Sequence, residues 1–330
     1  MINVHGRRVT FTAPEKATHL IGDFTDDLDR PIAIKTGQSI SLEFPLNALI
    51  EYCFLDSSGA RLTDPNNPNN AENPWWREYR SVQLEGYVAH PLRDALPNAP
   101  QGSSQSLVWE SQILSGKRRA YLHLPANFDP SLEYPVFLVQ DGVAFRRTGK
   151  LGVVHDNLVH LQKIRPCIFC FLEPHNRTQE YYFNPAYLEF LSTEVIPRLE
   201  QQFKVLEYGL WGASLGGLAS LYAAIHAPKR FPMVVTQSGA FQGQPNSTYA
   251  RGAANWLTQQ LENQETLPLR ISADCGTLEW LTGTNRNFAA MLHTKGYNHQ
   301  YLERPSGHNW VTWRNGLAAH LEWHLGREQG

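Results

Sequence analysis

From about residue 107 onward, strand-like runs alternate with helical ones, and several of the strands are apolar on both faces. In order they are KRRAYLHLP, PVFLVQD, a helix near 150–162, CIFCFLE, a helix over Pro185 to Phe203, EYGLWG, a helix over Leu215 to Ala227, and MVVTQSG. A helix near 250–262, LRISAD, a helix near 284–295, HQYLERP and a last helix complete the series. A strand with no polar face needs cover on both sides, and crossover helices supply it. The pattern therefore predicts an α/β unit with a mostly parallel sheet covered by helices.

The first 90 residues are organised differently. RRVTFTA, THLIGDF, SISLEFPL, LIEYCFLDSSGARLT and SVQLEG are short strands with turn punctuation, which predicts a small all-β sandwich over 1–90. Residues 91–106 are rich in Pro, Ser and Gly with little periodicity and are expected to be a linker before a second domain over 107–330. At 330 residues the chain has room for both. The loop DPNNPNNAENPWW presents Trp75 and Trp76, which either plug a domain interface, the favoured expectation, or bind a flat ligand.

The 29 basic side chains nearly cancel the 31 acidic ones, which gives nucleic-acid binding no support. The N-terminal stretch has no continuous apolar run like a secretory signal and no run of membrane-spanning length occurs, so a cytoplasmic location without membrane association is expected. Cys53, Cys167, Cys170 and Cys275 all fall in apolar strand-like runs, and the Cys167–Cys170 pair reads as part of a buried strand rather than a redox or zinc motif.

The chemistry concentrates in EYGLWGASLGGLASLYAAIHAP, where a strand ends at Gly212-Ala213-Ser214-Leu215-Gly216 and a helix starts at once. Glycines flank the serine because a turn this tight leaves no room for their β-carbons, and the serine Oγ is left exposed at its tip. The pentapeptide alone is common by chance, so its strand and helix flanks carry the assignment of Ser214 as a nucleophile. A serine hydroxyl needs an imidazole to take its proton. His308, in the polar loop SGHNW between a strand and the last helix, fits best, while His226, His293, His299 and His320 fall within regular elements and His175 precedes the serine.

The acid is expected after the strand LRISAD, where Asp274 and Glu279 compete. Glu279 is preferred because it lies beyond the strand end, whereas Asp274 is close enough to be a structural hydrogen-bonding residue. The oxyanion donors expected are the amides of Leu215, at the helix start, and of Val143, in the loop after PVFLVQD, with Gly142 serving the turn. With no H-E-x-x-H, P-loop or dinucleotide fingerprint, neither a metal nor a cofactor is expected.

These residues resemble the enterochelin esterases, enzymes that hydrolyse the ester bonds of ferric catecholate siderophores. The likeness rests on GASLGGLASLYAAIHAPKRF, VVTQSGAF, the DG loop at 141–142, NRTQEYYFNPAYLEFLSTEVIPRLEQQF, CGTLEWLTGTNRNFAAML and PSGHNWVTWRNGL. It implies an α/β-hydrolase fold, an Ig-like N-terminal domain, the acid at Glu279 and an iron–siderophore ester as substrate. Asn309 departs from the pattern, since the wider superfamily commonly has an acidic residue after the histidine. Feruloyl and acetyl esterases that act on carbohydrates, or a general carboxylesterase, are the alternative. An anionic ferric catecholate would call for cations at the pocket, and Arg177, Arg146 and Arg147 are the candidates. The bland role expected for Arg177 is an ion pair with Glu180.

Overall fold

The structure, a computed structural model, describes residues 2–26, 28–250, 252 and 255–327. The chain forms two compact units. One takes in the residues up to His90 together with Cys275–Thr282 and Glu303–Asn315, and the other takes in Pro91–Asp274, Gly283–Leu302 and the residues from Gly316 on.

In the first unit the strands are β1 (Asn3–His5), β2 (Arg8–Thr12), β3 (His19–Gly22), β4 (Ile32–Ala33), β5 (Ser39–Glu43), β6 (Leu49–Leu55), β7 (Arg61–Leu62) and β8 (Arg80–Gln83). They form two small sheets, β1-β2-β5 and β4-β3-β6-β7, with β8 also paired to β6. Every residue of β6, LIEYCFL, is buried, its six uncharged side chains together with the carboxyl of Glu51. Val9 and Phe11 from one sheet and Leu20, Ile50, Tyr52 and Phe54 from the other share one core.

The second unit is built on a sheet of β9 (Ser103–Glu110), β10 (Lys117–Leu124), β11 (Glu133–Val139), β12 (Ile168–Leu172), β13 (Lys204–Ala213), β14 (Met233–Gln237), β15 (Arg270–Gly276) and β16 (Asn298–Arg304), of which only Cys275 and Gly276 of β15 and Glu303 and Arg304 of β16 fall in the first unit. Their order is β16-β15-β14-β13-β11-β12-β10-β9. The run from β12 through β11, β13 and β14 to β15 is parallel, and β9 and β10 are antiparallel additions at one side. The helices are α1 (Gly142–Arg147), α2 (Leu151–His160), α3 (Arg177–Tyr181), α4 (Pro185–Phe190), α5 (Ile196–Glu200), α6 (Leu215–His226), α7 (Trp256–Asn263), α8 (Thr282–Thr294) and α9 (Trp310–Leu325). Nine consecutive residues of α6, Gly216 to Ala224, are buried, which explains why its sequence is apolar all round.

Three expectations change. The tail of the expected linker is part of β9, an edge strand whose first four residues are exposed, so it shows no hydrophobic period. Nor does the rest hang free: Asn157 on α2 donates to the carbonyls of Leu92 and Asp94 and accepts from the Leu96 amide, while Asp156 accepts from Gly102. The single helix expected over 185–203 is α4, a π-turn at Leu191–Val195 and α5; Pro197 near the start of α5 has no amide to donate, which loosens the preceding turn. The helix near 250–262 begins at Trp256, and residues 251, 253 and 254 lie outside the described ones.

Candidate active site

Ser214 sits at φ 57°, ψ −123°, between the last residue of β13 and the first of α6. A side-chain-bearing residue held there stores strain, and the surrounding bonds hold it: its amide donates to the Gln237 carbonyl and its own carbonyl accepts from Leu218 and Ala240. Gly212 is required by close approach, since a Cβ there would lie 2.2 Å from the Gly216 carbonyl carbon. Leu215 opens α6, so its amide is among the helix-end donors that α-helical bonding leaves unused.

Glu279 and His308 meet. His308 Nδ1 hydrogen-bonds Glu279 Oε2, and Glu279 Oε1 accepts from the Gly276 amide at 2.8 Å. The Glu279 side chain is fully buried and has its second oxygen fixed, so it can orient the imidazole and stabilise its charged form. The bond assigns the proton to Nδ1 and leaves Nε2 as the nitrogen that can take one. Trp280 and Trp313 pack on the ring at centroid distances of 4.5 and 5.1 Å. Asp274 is placed elsewhere: its Oδ2 accepts from Gln237 Nε2 at 3.0 Å and pairs with His320 Nε2 at 2.9 Å in a buried network. Trp75 and Trp76 are about half exposed; Trp75 packs on Trp310, and Arg61 lies 3.8 Å over the Trp76 ring.

The loop after β11 turns at Asp141, which adopts the left-handed conformation (φ 53°), and α1 follows. Gly142 therefore serves close packing rather than the turn, as a Cβ there would lie 2.5 Å from the Phe171 backbone. The Val143 amide donates to Glu173 Oε2 at 3.0 Å. Burial pushes the Glu173 carboxyl upward, more than the Val143 amide draws it down. Arg146 and Arg147 lie at the opposite end of α1 from Gly142, Arg146 over the Tyr121 ring at 4.9 Å and Arg147 exposed.

Arg177 does not pair with Glu180. Its Nε and Nη2 grip the two oxygens of Asp141 at 2.8 Å each, and Nη2 also reaches the Ala213 carbonyl at 3.2 Å. Burial works against its charge, and Asp141 more than offsets that. Glu180 instead takes the buried Arg118 at 2.9 and 3.0 Å and accepts from the amides of His175 and Asn176. The Asp141–Arg177 clamp thus ties the loop that carries Val143 to the residue before Ser214. No local sequence signal marks it, because the partners are 36 residues apart.

Among the described residues, His123, His155 and Asp156 are the group spaced to hold a metal. Their chemistry does not fit one. The Cys167 amide donates to His155 Nε2 at 3.1 Å, so the proton sits on Nδ1 and points at Asp156 Oδ1. Burial opposes the charge of Asp156, but the bonds from His123 and His155 outweigh it and hold the carboxyl at about 2. The trio is a charged hydrogen-bond network that fastens Gly102. All four cysteines are buried.

A largely parallel sheet with a strained serine between a strand and a helix defines an α/β-hydrolase-like framework. Residues 111–324 match the Esterase family, described as putative esterase, and the chain belongs to it. It is 23% identical over 270 residues to an iron(III) enterobactin esterase of Escherichia coli O6:H1, covering 79% of this chain and 66% of that one. An endo-1,4-beta-xylanase/feruloyl esterase of Xylanibacter ruminicola is 21% identical, over 83% of this chain and 38% of its own length. The chain therefore spans about two thirds or less of these curated relatives. The crystal structure of enterochelin esterase from Shigella flexneri superposes with a TM-score of 0.76 at 20% identity, covering 98% of this chain and 94% of that one, a likeness of fold.

Proposed function

We propose that this chain is a serine carboxylic-ester hydrolase that uses Ser214, His308 and Glu279. The observation that carries the reading is the backbone of Ser214, a strained non-glycine conformation at a strand-to-helix junction that ordinary packing gives no reason to keep. Ser214 Oγ attacks the ester carbonyl as His308 Nε2 takes its proton. His308 returns that proton to the leaving alcohol, and water then releases the acyl group by the reverse use of the same base. Glu279 holds the imidazole in the required tautomer. The Leu215 and Val143 amides are the proposed donors to the oxyanion, with Val143 exchanging Glu173 for it.

The proposed substrate is an ester of a ferric catecholate siderophore, in the cytoplasm. This is supported by relatives named iron(III) enterobactin esterase and by a fold likeness extending over nearly the whole chain. Arg146 and Arg147 are the proposed cations for such an anion. Arg177 would contribute only through what the Asp141 clamp leaves over. The feruloyl esterase relative supports an aromatic carbohydrate ester as the alternative. Among the described residues no helix is long and apolar enough to cross a membrane.

A fluorophosphonate probe followed by peptide mass analysis tests the nucleophile. The label should sit on Ser214, and Ser214→Ala should lose it together with roughly 10⁴-fold or more of kcat on p-nitrophenyl butyrate. Labelling elsewhere would remove the assignment. Parallel assays with ferric enterobactin and feruloylated arabinose then choose between the substrates.

A further inference from the structure

His308 lies between two residues that are each fastened to the N-terminal strands. On one side, Ser306 Oγ donates to the Leu49 carbonyl at 2.8 Å, and the two residues form a parallel bridge. On the other, Asn309 Nδ2 donates to Asp23 Oδ2 at 2.9 Å, and the same oxygen accepts from the Glu51 amide of β6 at 2.7 Å. Gly307 packs so tightly on Asp23 that a Cβ would lie 2.1 Å from the Asp23 carboxyl carbon. The acid's loop joins the same bracing, with the Leu278 amide donating to the Ser306 carbonyl at 3.1 Å and the Leu278 side chain packing on the N-terminal core.

Asn309 fits this place by having two different ends. Its Oδ1 accepts from the Thr312 amide at 2.9 Å and so caps the start of α9. That fixes the amide's orientation and turns Nδ2 toward Asp23. An aspartate at 309 would still cap the helix, but it would lose the donor and set a charge against Asp23.

We propose that Asp23 is a positioning residue for His308, acting through Asn309: its carboxylate fixes the 306–309 loop so that the imidazole meets Glu279 in the orientation proton transfer requires. This rests on reading His308 as the general base. A misplaced base lowers the rate of proton transfer far more than it lowers substrate binding, so the loss should fall on kcat.

The test uses the full chain and p-nitrophenyl butyrate, with rates normalised to active sites titrated by fluorophosphonate. Asp23→Ala and Asn309→Ser, the latter keeping a helix cap, should each lower kcat by about tenfold or more with KM within about twofold. Asp23→Asn, which keeps an acceptor oxygen at the same place, should stay within about threefold of the parent, and the double Ala/Ser variant should fall no further than either single one. Parent-level kcat in Asp23→Ala, additive losses in the double variant, or equal losses for Asn and Ala at 23 would overturn the proposal. If Asp23→Ala fails to fold, Asn309→Ser and Asp23→Asn decide alone: a loss in the first and retention in the second supports the route, and any other pair of results sinks it. His308→Ala separates the two levels. An active His308→Ala would remove the base assignment and this proposal with it, whereas an inactive one beside a fully active Asp23→Ala would remove only the positioning role.

Discussion

Glu279 and Asp274 lie five positions apart and have unlike surroundings, which makes them a clean pair to separate. Glu279→Gln should lower kcat by about 10²- to 10⁴-fold, because an amide can hold the imidazole in the wrong tautomer and cannot balance its charge. Asp274→Asn should leave kcat near the parent value and instead cost about 1–3 kcal/mol of stability, since it disturbs buried bonds to Gln237 and His320. Steady-state rates and urea unfolding on both variants check this, and the reverse order would move the acid role to Asp274. Glu173→Ala tests the Val143 donor. Removing a carboxylate from the Val143 amide should raise kcat on a neutral ester by roughly three- to tenfold, about 1 kcal/mol in the barrier; an unchanged or lower rate would discard Val143 as an oxyanion donor.

At the scale of elements, the strand-to-helix turn at Ser214 was legible because its geometry is local. The glycines, the strand before and the helix after are adjacent in the chain. The segment over 91–106 was not legible in the same way. Its composition describes a flexible linker, yet the side chain of one helical residue, Asn157, satisfies three of its backbone groups. Asn157→Ala should therefore cost about 1–3 kcal/mol and open the segment to protease. Limited proteolysis with mapping of the cut sites would show this as faster cleavage within 91–102, and an unchanged digestion pattern would mean that β9 pairing alone holds the segment.

At the scale of the whole molecule, pH acts on stability through a buried carboxyl in the N-terminal unit. Burial, reinforced by nearby Asp23, pushes the Glu51 carboxyl from 4.5 up to about 8. Between those values the folded protein keeps a proton that the unfolded chain has lost. The stability linked to Glu51 is therefore complete below about pH 4.5 and lost as pH rises through about 8. Glu51→Gln, neutral throughout, should flatten the fall in Tm between about pH 6 and 9. Thermal melts of both proteins across that range check the sign, and parallel curves would show that Glu51 is already ionised at pH 6.

The sequence by itself determined the alternation that builds the parallel sheet, the serine at its turn, and a short list of partners for it. Each of these rests on spacing along the chain or on the chemistry of single residue types. Only the tertiary structure decided that Arg177 clamps Asp141 rather than Glu180, and that Glu279 rather than Asp274 holds His308. It also showed that the loops carrying Glu279 and His308 are fastened to strands from the first 90 residues. Those pairings join groups tens to hundreds of residues apart, and a hydrogen bond's partner is chosen by burial and direction in space, which sequence spacing does not encode.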